Sequence, residues 1–350
     1  MTKPLRFGLI GAGAIGKIRA QALLQSKLCD LVAVADIDQG RAMAAAPNAR
    51  YFASGEALIA HEDVEAVIIS TPPVFHEPLA LAAAAVGKHV LVEKPMAATS
   101  DACERMVAAA IAAGTIMTVG YNHRYFEAVK LVRDFVRSGE IGKLSHVRAY
   151  TGHGGLAEFK AEWMYDKEAM GGGALMDNGT HLIDLVRYIM GDPAEVFGFA
   201  TNKVWKLGVE DEGLALLRTE EGVTASIEAS WHEWRGYRFH IEAYGDRGMA
   251  RVYYAPMMAT LIRLDKPGGT KSVERHFYPR TILREKLKGW QSTVIGTFVE
   301  ELADFVAMAG NAPQSGRLAL GIDGLRAIQI ANAVCESGST RGCVRLPAVA

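Results

Sequence analysis

Three groups of residues in this chain have the types and spacing that chemistry needs. The first is Val90-Leu91-Val92-Glu93-Lys94-Pro95-Met96, where three apolar residues give way at once to two charges and a proline. A buried strand that ends this way puts an ionisable pair at the carboxyl end of an α/β sheet, the edge where such sheets bind ligands. Pro95 stops the ladder and restricts Lys94 to extended backbone. Alone, the pair would be an ordinary surface ion pair. The second group is Gly11-Ala12-Gly13-Ala14-Ile15-Gly16, followed by Asp36 at about the 20-residue spacing of a dinucleotide site. The third is Asp177 and His181, spaced i,i+4, so that on a helix both project from neighbouring turns of one face. A histidine titrates near neutrality and suits acid–base work. The plain alternative is a solvated i,i+4 pair.

The elements around the glycine turn make it specific. Leu5–Ile10 reads as a buried strand, a helical pattern runs through Ile18, Ala22 and Leu23, and residues 31–36 read as a second strand. Gly11 permits the tight turn, Gly13 lets the backbone approach a pyrophosphate, and Gly16 allows helix and sheet to pack closely. The N–H groups at the helix start, around Ala14 and Ile15, then face the phosphates. Asp36 is placed to accept the ribose hydroxyls, and Ile37 and Asp38 follow it rather than an Arg or Ser that could hold a 2′-phosphate. NAD is therefore favoured over NADP. A flavin could use the same turn. A further strand at 64–69 ends in Ser70-Thr71-Pro72-Pro73, a rigid loop over the cofactor crevice. His76 either contacts ligand or caps the helix that follows. A helix at 100–113 and a strand at 115–119 lead to Asn122 and Arg124. Alternating strands and helices with short connections imply a right-handed, parallel, doubly wound sheet.

The chain has 350 residues, half of them apolar and 22% charged, enough for two domains with filled cores. A net charge of −1 leaves no electrostatic footprint for nucleic acid or an anionic membrane. No apolar run has membrane-spanning length, and the start shows no secretory pattern. Cys29, Cys103, Cys335 and Cys343 lack metal-site spacing and read as thiols of a reducing cytoplasm; no metal is expected.

Beyond about Gly139 the texture changes. Segments 144–151, 194–201, 213–218, 223–231, 238–244 and 249–254 alternate as strands do, implying an α+β domain with a large, mostly antiparallel open sheet. The expected division is 1–122, a Rossmann-type dinucleotide domain, and 123–350. Helices at 292–309 and 316–337 and a strand at 344–347 can pack back on the first domain. Residues 174–190 read as one helix with Leu175, Leu182, Ile183, Val186 and Ile189 on its apolar face. The glycines at 171–173 and Gly179 suit a backbone that something approaches closely. Asp184 either holds a ring nitrogen of His181 or faces solvent. His153, Lys160, Trp163, Tyr165 and Asp166, with Trp231, His232 and Trp234, offer polar groups and aromatic walls of the kind a ring-shaped polar ligand needs.

These motifs together resemble the Gfo/Idh/MocA oxidoreductase family. The likeness is carried by the glycine turn, Ser70-Thr71-Pro72-Pro73 with His76, Gly87 through Pro95, Asn122 with Arg124, and Gly171 through Asp184. It spans essentially the whole chain. The resemblance implies an NAD-dependent enzyme moving hydride between the nicotinamide and a secondary alcohol carbon of a sugar, inositol or related polyol. It implies cofactor contacts at Gly11, Gly13, Ala14, Ile15, Gly16, Asp36, Ser70, Thr71, Pro72, His76, Glu93, Lys94 and Asn122. It implies substrate contacts at Lys94, Arg124, Trp163, Asp177 and His181, with Lys94, Asp177 and His181 catalytic. A homodimer or homotetramer built through the open sheet is also implied.

In that chemistry His181 is the candidate base for the hydroxyl proton, and Lys94 would stabilise charge developing on the same oxygen or, with a pKa lowered by burial, take the proton itself. Asp177 would bind an adjacent hydroxyl and orient His181, and Glu93 would position Lys94 or the nicotinamide. If Lys94 turns back over the cofactor, a cis Lys94–Pro95 bond would supply the bend. Two other readings use the same fold: an NAD-dependent glycosidase working by transient oxidation and elimination, and a non-catalytic NAD-binding regulator.

Overall fold

The computed structural model describes residues 3–159 and 161–348. It forms two units, divided at Tyr125/Phe126, Leu283/Arg284 and Leu325/Arg326. The first holds six parallel strands: β1 Leu5–Ile10, β2 Cys29–Ala35, β3 Arg50–Phe52, β4 Ala66–Ile69, β5 His89–Val92 and β6 Met117–Val119. Their order is β3-β2-β1-β4-β5-β6. The direction of winding reverses between β1 and β4, the point where open α/β sheets bind ligands. Parallel strands are covered on both faces, which is why β4 is apolar and buried throughout.

The core of this unit is not made by the amino-terminal residues alone. Phe7, Leu9, Leu23, Leu31 and Leu91 pack in one cluster with Phe298, Leu302 and Phe305 of the helix Gln291–Ala309 and with Leu318. The Phe7 and Phe305 rings lie 5.6 Å apart at a tilt of 47°, and His89 meets Phe305 edge-on.

The second unit carries a nine-stranded sheet. Its strands are β7 Leu144–Gly152, β8 Glu195–Thr201, β9 Glu212–Arg218, β10 Thr224–Ser230, β11 Arg238–Gly245, β12 Gly248–Tyr254, β13 Met258–Leu264, β14 Lys271–Phe277 and β15 Val344–Arg345. The order is β14-β13-β12-β11-β7-β10-β9-β8-β15. Every pair is antiparallel except β7 with β10. The helices Glu127–Arg137 and Thr180–Met190 pack on the sheet. Paired residues Phe199, Leu214, Glu228, Tyr150, His240, Tyr253 and Met258 form a row across seven strands on one face, none of them buried. Leu216, opposite Phe197, is 58% exposed. β13 and β14 extend the sheet beyond the six expected strands. β14 is exposed along nearly its whole length, so it shows no alternation to read.

The core of the first unit yields a stability test. Phe305→Ala should destabilise the protein by about 3–5 kcal/mol, as deletion of a buried ring does. Phe277→Ala, on exposed β14, should stay within about 0.5 kcal/mol of wild type. Urea unfolding measures both; a loss at Phe305 under about 1 kcal/mol would remove the helix from this core.

Candidate active site

In the first unit the dinucleotide motif closes as a turn between β1 and the helix Ala14–Gln25. Gly11 stands at φ +89°, and a Cβ there would come within 2.7 Å of the Ser70 carbonyl oxygen. A Cβ on Gly16 would overlap the Gly11 carbonyl at 2.0 Å, whereas one on Gly13 would meet nothing within 4 Å. Two glycines are thus demanded by the chain itself, and the third opens onto space at the helix start. The exposed Ile15 side chain stands at that end. Ser70 Oγ donates to the Gly11 carbonyl at 2.8 Å, binding the β4 loop to the turn. The buried Thr71 Oγ1 has no hydrogen-bond partner among the described residues. Open space over Gly13 and an orphaned hydroxyl in the loop that lies against Gly11 fit a pyrophosphate-bearing cofactor.

Asp36, just past β2, accepts the Ala12 N–H on Oδ2 at 2.7 Å and the Asp38 N–H on Oδ1 at 2.9 Å. Arg41 reaches the same Oδ1 with Nη2 at 2.6 Å and Nε at 3.1 Å. Burial would raise the Asp36 carboxyl, but these bonds hold it below its usual range. Sequence neighbours suggested no arginine here; Arg41 arrives because the helix Gln39–Ala45 turns it back.

His76 is fully buried. Its Nε2 lies 2.7 Å from the Thr71 carbonyl, and its Nδ1 lies 3.2 and 3.1 Å from those of Pro95 and Met96. The ring ties the Thr71–Pro72 loop to the segment after Lys94. Burial lowers its pKa, against the raising effect of the three carbonyls and of Glu93. The Lys94–Pro95 bond is cis, as the expected bend requires. Glu93 Oε1 accepts from Arg19 Nε at 2.5 Å, and Oε2 from the Lys94 N–H at 3.3 Å. Arg19, with no solvent exposure, also pairs with Glu301 and lies 3.5 Å from the centre of the Phe298 ring. Sequence reading missed Arg19 and Glu301; the available signal was a charge among the buried positions Ile18, Ala22 and Leu23. Asn122 Nδ2 donates to Thr297 Oγ1, and Arg124 is buried against Asp323 at 3.3 Å. Burial and the nearby charge of Lys94 push His123 down to about 3.

In the second unit, residues 174–190 are not one α-helix. Leu175–Gly179 forms a π-turn, with the Gly179 N–H donating to the Ala174 carbonyl, and Thr180–Met190 is the α-helix. Asp177 lies in the wide turn and His181 in the first turn of the helix, both buried. π-turns inside helices often mark functional sites. What approaches the glycines is the chain itself, since a Cβ on Gly173 would lie 1.8 Å from the Glu210 carbonyl oxygen. Asp177 Oδ2 accepts from His153 Nε2 at 2.8 Å and Trp231 Nε1 at 3.1 Å. Because the Gly155 N–H donates to His153 Nδ1, the neutral ring carries its proton on Nε2. Asp184 is fully buried, which removes the solvent-facing alternative. Aromatic groups gather around this carboxylate. Tyr165 packs edge-on against Trp231, and burial with the Asp177 charge pushes its hydroxyl up to about 12. Trp163 and Trp234 are exposed. Lys160 lies outside the described residues.

Residues 5–121 match the model of an oxidoreductase family with an NAD-binding Rossmann fold, and residues 129–251 match the GFO/IDH/MocA C-terminal domain. The chain belongs to the Gfo/Idh/MocA family of oxidoreductases. An inositol 2-dehydrogenase of Acidothermus cellulolyticus is 34% identical over 70% of this chain and 72% of its own. One from Burkholderia multivorans is 29% identical over 99% of this chain and 97% of its own. A levoglucosan dehydrogenase structure with NADH and levoglucosan superimposes with a TM-score of 0.88 at 25% identity, covering 99% of this chain and all of the other. Like the family, the chain pairs an NAD-binding Rossmann unit with an antiparallel sheet. Among the described residues no group of side chains could hold a metal ion. No described helix is long and apolar enough to cross a membrane.

In this Gfo/Idh/MocA chain the Glu301 carboxyl is pushed up to about 7 by burial, then by Glu93, against the pull of Arg19. The folded protein therefore binds more protons than the unfolded chain between the ordinary glutamate pKa and about 7, and the Glu301 contribution to stability is lost as pH rises through that window. Relative to Glu301→Gln, wild-type stability should fall by on the order of 2 kcal/mol from about pH 5 to about pH 8. Urea unfolding of both proteins across that range measures it, and a pH-independent difference would refute it.

Proposed function

We propose that this protein catalyses reversible, NAD-dependent oxidation of a secondary alcohol carbon in a sugar, inositol or related polyol. The observation that carries the reading is the placement of Lys94. It follows β5 directly, on the edge of the sheet that also bears the glycine turn and the Ser70–Thr71 loop, where NAD-binding folds hold their cofactor. The inositol 2-dehydrogenases among its relatives support the substrate class.

When bound, NAD takes the hydride from the substrate carbon and returns it in the reverse direction. Gly13, with the helix-start N–H groups at Ala14 and Ile15, supports the pyrophosphate; Gly11 and Gly16 shape the turn. Asp36 accepts from the adenosine ribose. Ser70, Thr71, Pro72 and Asn122 line the cofactor, and His76 fixes the loop they belong to. Glu93, gripped by Arg19, sets the direction of Lys94. His181 receives the hydroxyl proton as general base, and Lys94 stabilises negative charge developing on the substrate oxygen. Asp177 has one oxygen engaged by His153 and Trp231, which aims the carboxylate toward a substrate hydroxyl. Trp163 supplies an aromatic wall, and Arg124 fixes the Asn122–Tyr125 turn through Asp323. We also propose that the exposed sheet face bearing Phe197, Phe199, Leu214 and Leu216 meets a second copy, in a dimer or tetramer. Cys29 and Cys103 stand as buried thiols, and burial raises both pKa values, Cys29 to about 11. Thiols in this state fit the cytoplasm.

NADH fluorescence across inositols, aldoses, uronates and amino sugars should show net NADH formation with at least one of them. Hydrolysis of a glycoside without NADH release would favour the oxidation–elimination glycosidase instead. With the substrate so found, Lys94→Ala and His181→Ala should each lower kcat about 100-fold or more and leave NADH affinity within about threefold. Undiminished turnover in both variants would sink the assignment.

A further inference from the structure

The turn that carries Asp177 is gripped from outside by one residue, Glu210, which stands just before β9. The Glu210 carbonyl accepts the Ala174 N–H at 2.9 Å, and its Oε1 accepts the Leu175 N–H at 3.1 Å. Burial raises the pKa of the carboxyl, while its own N–H and those of Gly173 and Leu175 oppose the rise. Three successive N–H groups at the start of the π-turn thus end on a single residue, and its carboxylate takes two of them. The approach is close enough to demand glycine: a Cβ on Gly173 would overlap the Glu210 carbonyl, and one on Gly172 would lie 3.4 Å from Oε1. The Gly173 carbonyl in turn accepts the Asp177 N–H at 2.9 Å, so one residue links Glu210 to the Asp177 backbone. Asp211 holds the other support of the same group. Its carbonyl accepts the Trp231 N–H at 2.8 Å, and Trp231 Nε1 is one of the two donors on Asp177 Oδ2. Its fully buried side chain accepts the N–H groups of Lys203, Val204 and Trp205, and Trp205 Nε1 donates to the Trp231 carbonyl. The β9 ladder begins only at Glu212, so Glu210 is not needed to close the sheet.

We propose that Glu210 is a positioning residue for the dehydrogenase reaction: by holding the first N–H groups of the π-turn, it sets the direction in which Asp177 and His181 meet the substrate. The inference rests on the reading of those two residues as substrate-facing groups. Without the carboxylate, the Gly173 and Leu175 N–H groups lose their acceptor and only the Ala174 bond remains. The wide turn is then free to tighten toward the α-helical pattern of Thr180–Met190. Tightening rotates the side chains of the turn about the helix axis and swings Asp177 away from the line it shares with His181.

Steady-state kinetics of the full-length wild type, Glu210→Ala and Glu210→Gln test it, with NAD and whichever inositol, aldose, uronate or amino sugar yields NADH, and with active sites counted by NADH titration. Glu210→Ala should lower kcat per NADH site about tenfold or more and raise the substrate KM about threefold or more, with NADH affinity within about twofold of wild type. Glu210→Gln keeps one acceptor oxygen and should fall between. A role in stability alone would reduce the number of NADH sites and leave kcat per site and KM where they are. The proposal is overturned if both values in Glu210→Ala stay within about twofold of wild type, or if NADH affinity falls by as much as kcat. If the alanine variant binds no NADH, the glutamine variant decides, and wild-type kcat per site and KM there overturn the proposal equally. A wild type that oxidises none of these compounds defeats the underlying reading and this inference together.

Discussion

A guanidinium shut away from water must be met by charge, and Arg19 is met by two carboxylates and a ring face. Those partners come from three places in the sequence: Glu93 at the end of β5, and Phe298 and Glu301 on the helix Gln291–Ala309. The contact cannot form unless the cofactor helix, the middle of the sheet and the late helix are all in place. It also leaves Glu93 little freedom, so Lys94, next in the chain and bonded through its N–H to the same carboxylate, inherits a fixed starting point. Gly120 belongs to the same arrangement, since a side chain there would press on Arg19 and Glu93. Removing one member would strand an uncompensated buried charge, which is far more damaging than losing a surface pair.

In the second unit the buried Asp177 accepts two N–H donors on Oδ2, from His153 and Trp231. His153 can donate because the Gly155 N–H fixes its tautomer, and Trp231 can because it is fully enclosed by Tyr165, Trp205 and their neighbours. Two donors on one oxygen fix the direction of the carboxylate. That suits a group proposed to face a substrate hydroxyl.

Legibility in the sequence followed the range of the forces involved. Strand β1 matched its expected bounds, Leu5–Ile10, because a parallel strand covered on both faces is a continuous apolar run. The glycine turn was equally plain, since the steric demands on Gly11 and Gly16 are local. The π-turn was not. Its shape depends on Glu210 and Ala229, which press on Gly173 and Gly179 from distant segments, and the residues 174–190 read naturally as one α-helix. Arg19 and Glu301 went unread, since they lie 282 residues apart and nothing local says that they meet. Arg41 lay five residues past Asp36, and only the helix Gln39–Ala45 brings it back to that carboxylate. β14 went unread because it is exposed along nearly its whole length and carries no period, whereas β13 does alternate, with Ala259 and Leu261 buried, and was missed.

The discontinuous make-up of the first unit bears on how the chain matures during synthesis. A ribosome releases β1 through β6 long before Phe298, Glu301 and Phe305. Domains that fold as contiguous stretches can finish as they emerge. This one cannot, because its amino-terminal sheet waits for the last quarter of the polypeptide to close its core and neutralise Arg19. Until then the nascent unit exposes Phe7 and Leu31 of the sheet and Leu23 of the first helix, the kind of surface that chaperones hold. A protein shortened after β14 would lack more than its tail: its amino-terminal sheet would be left without Phe298, Leu302 and Phe305.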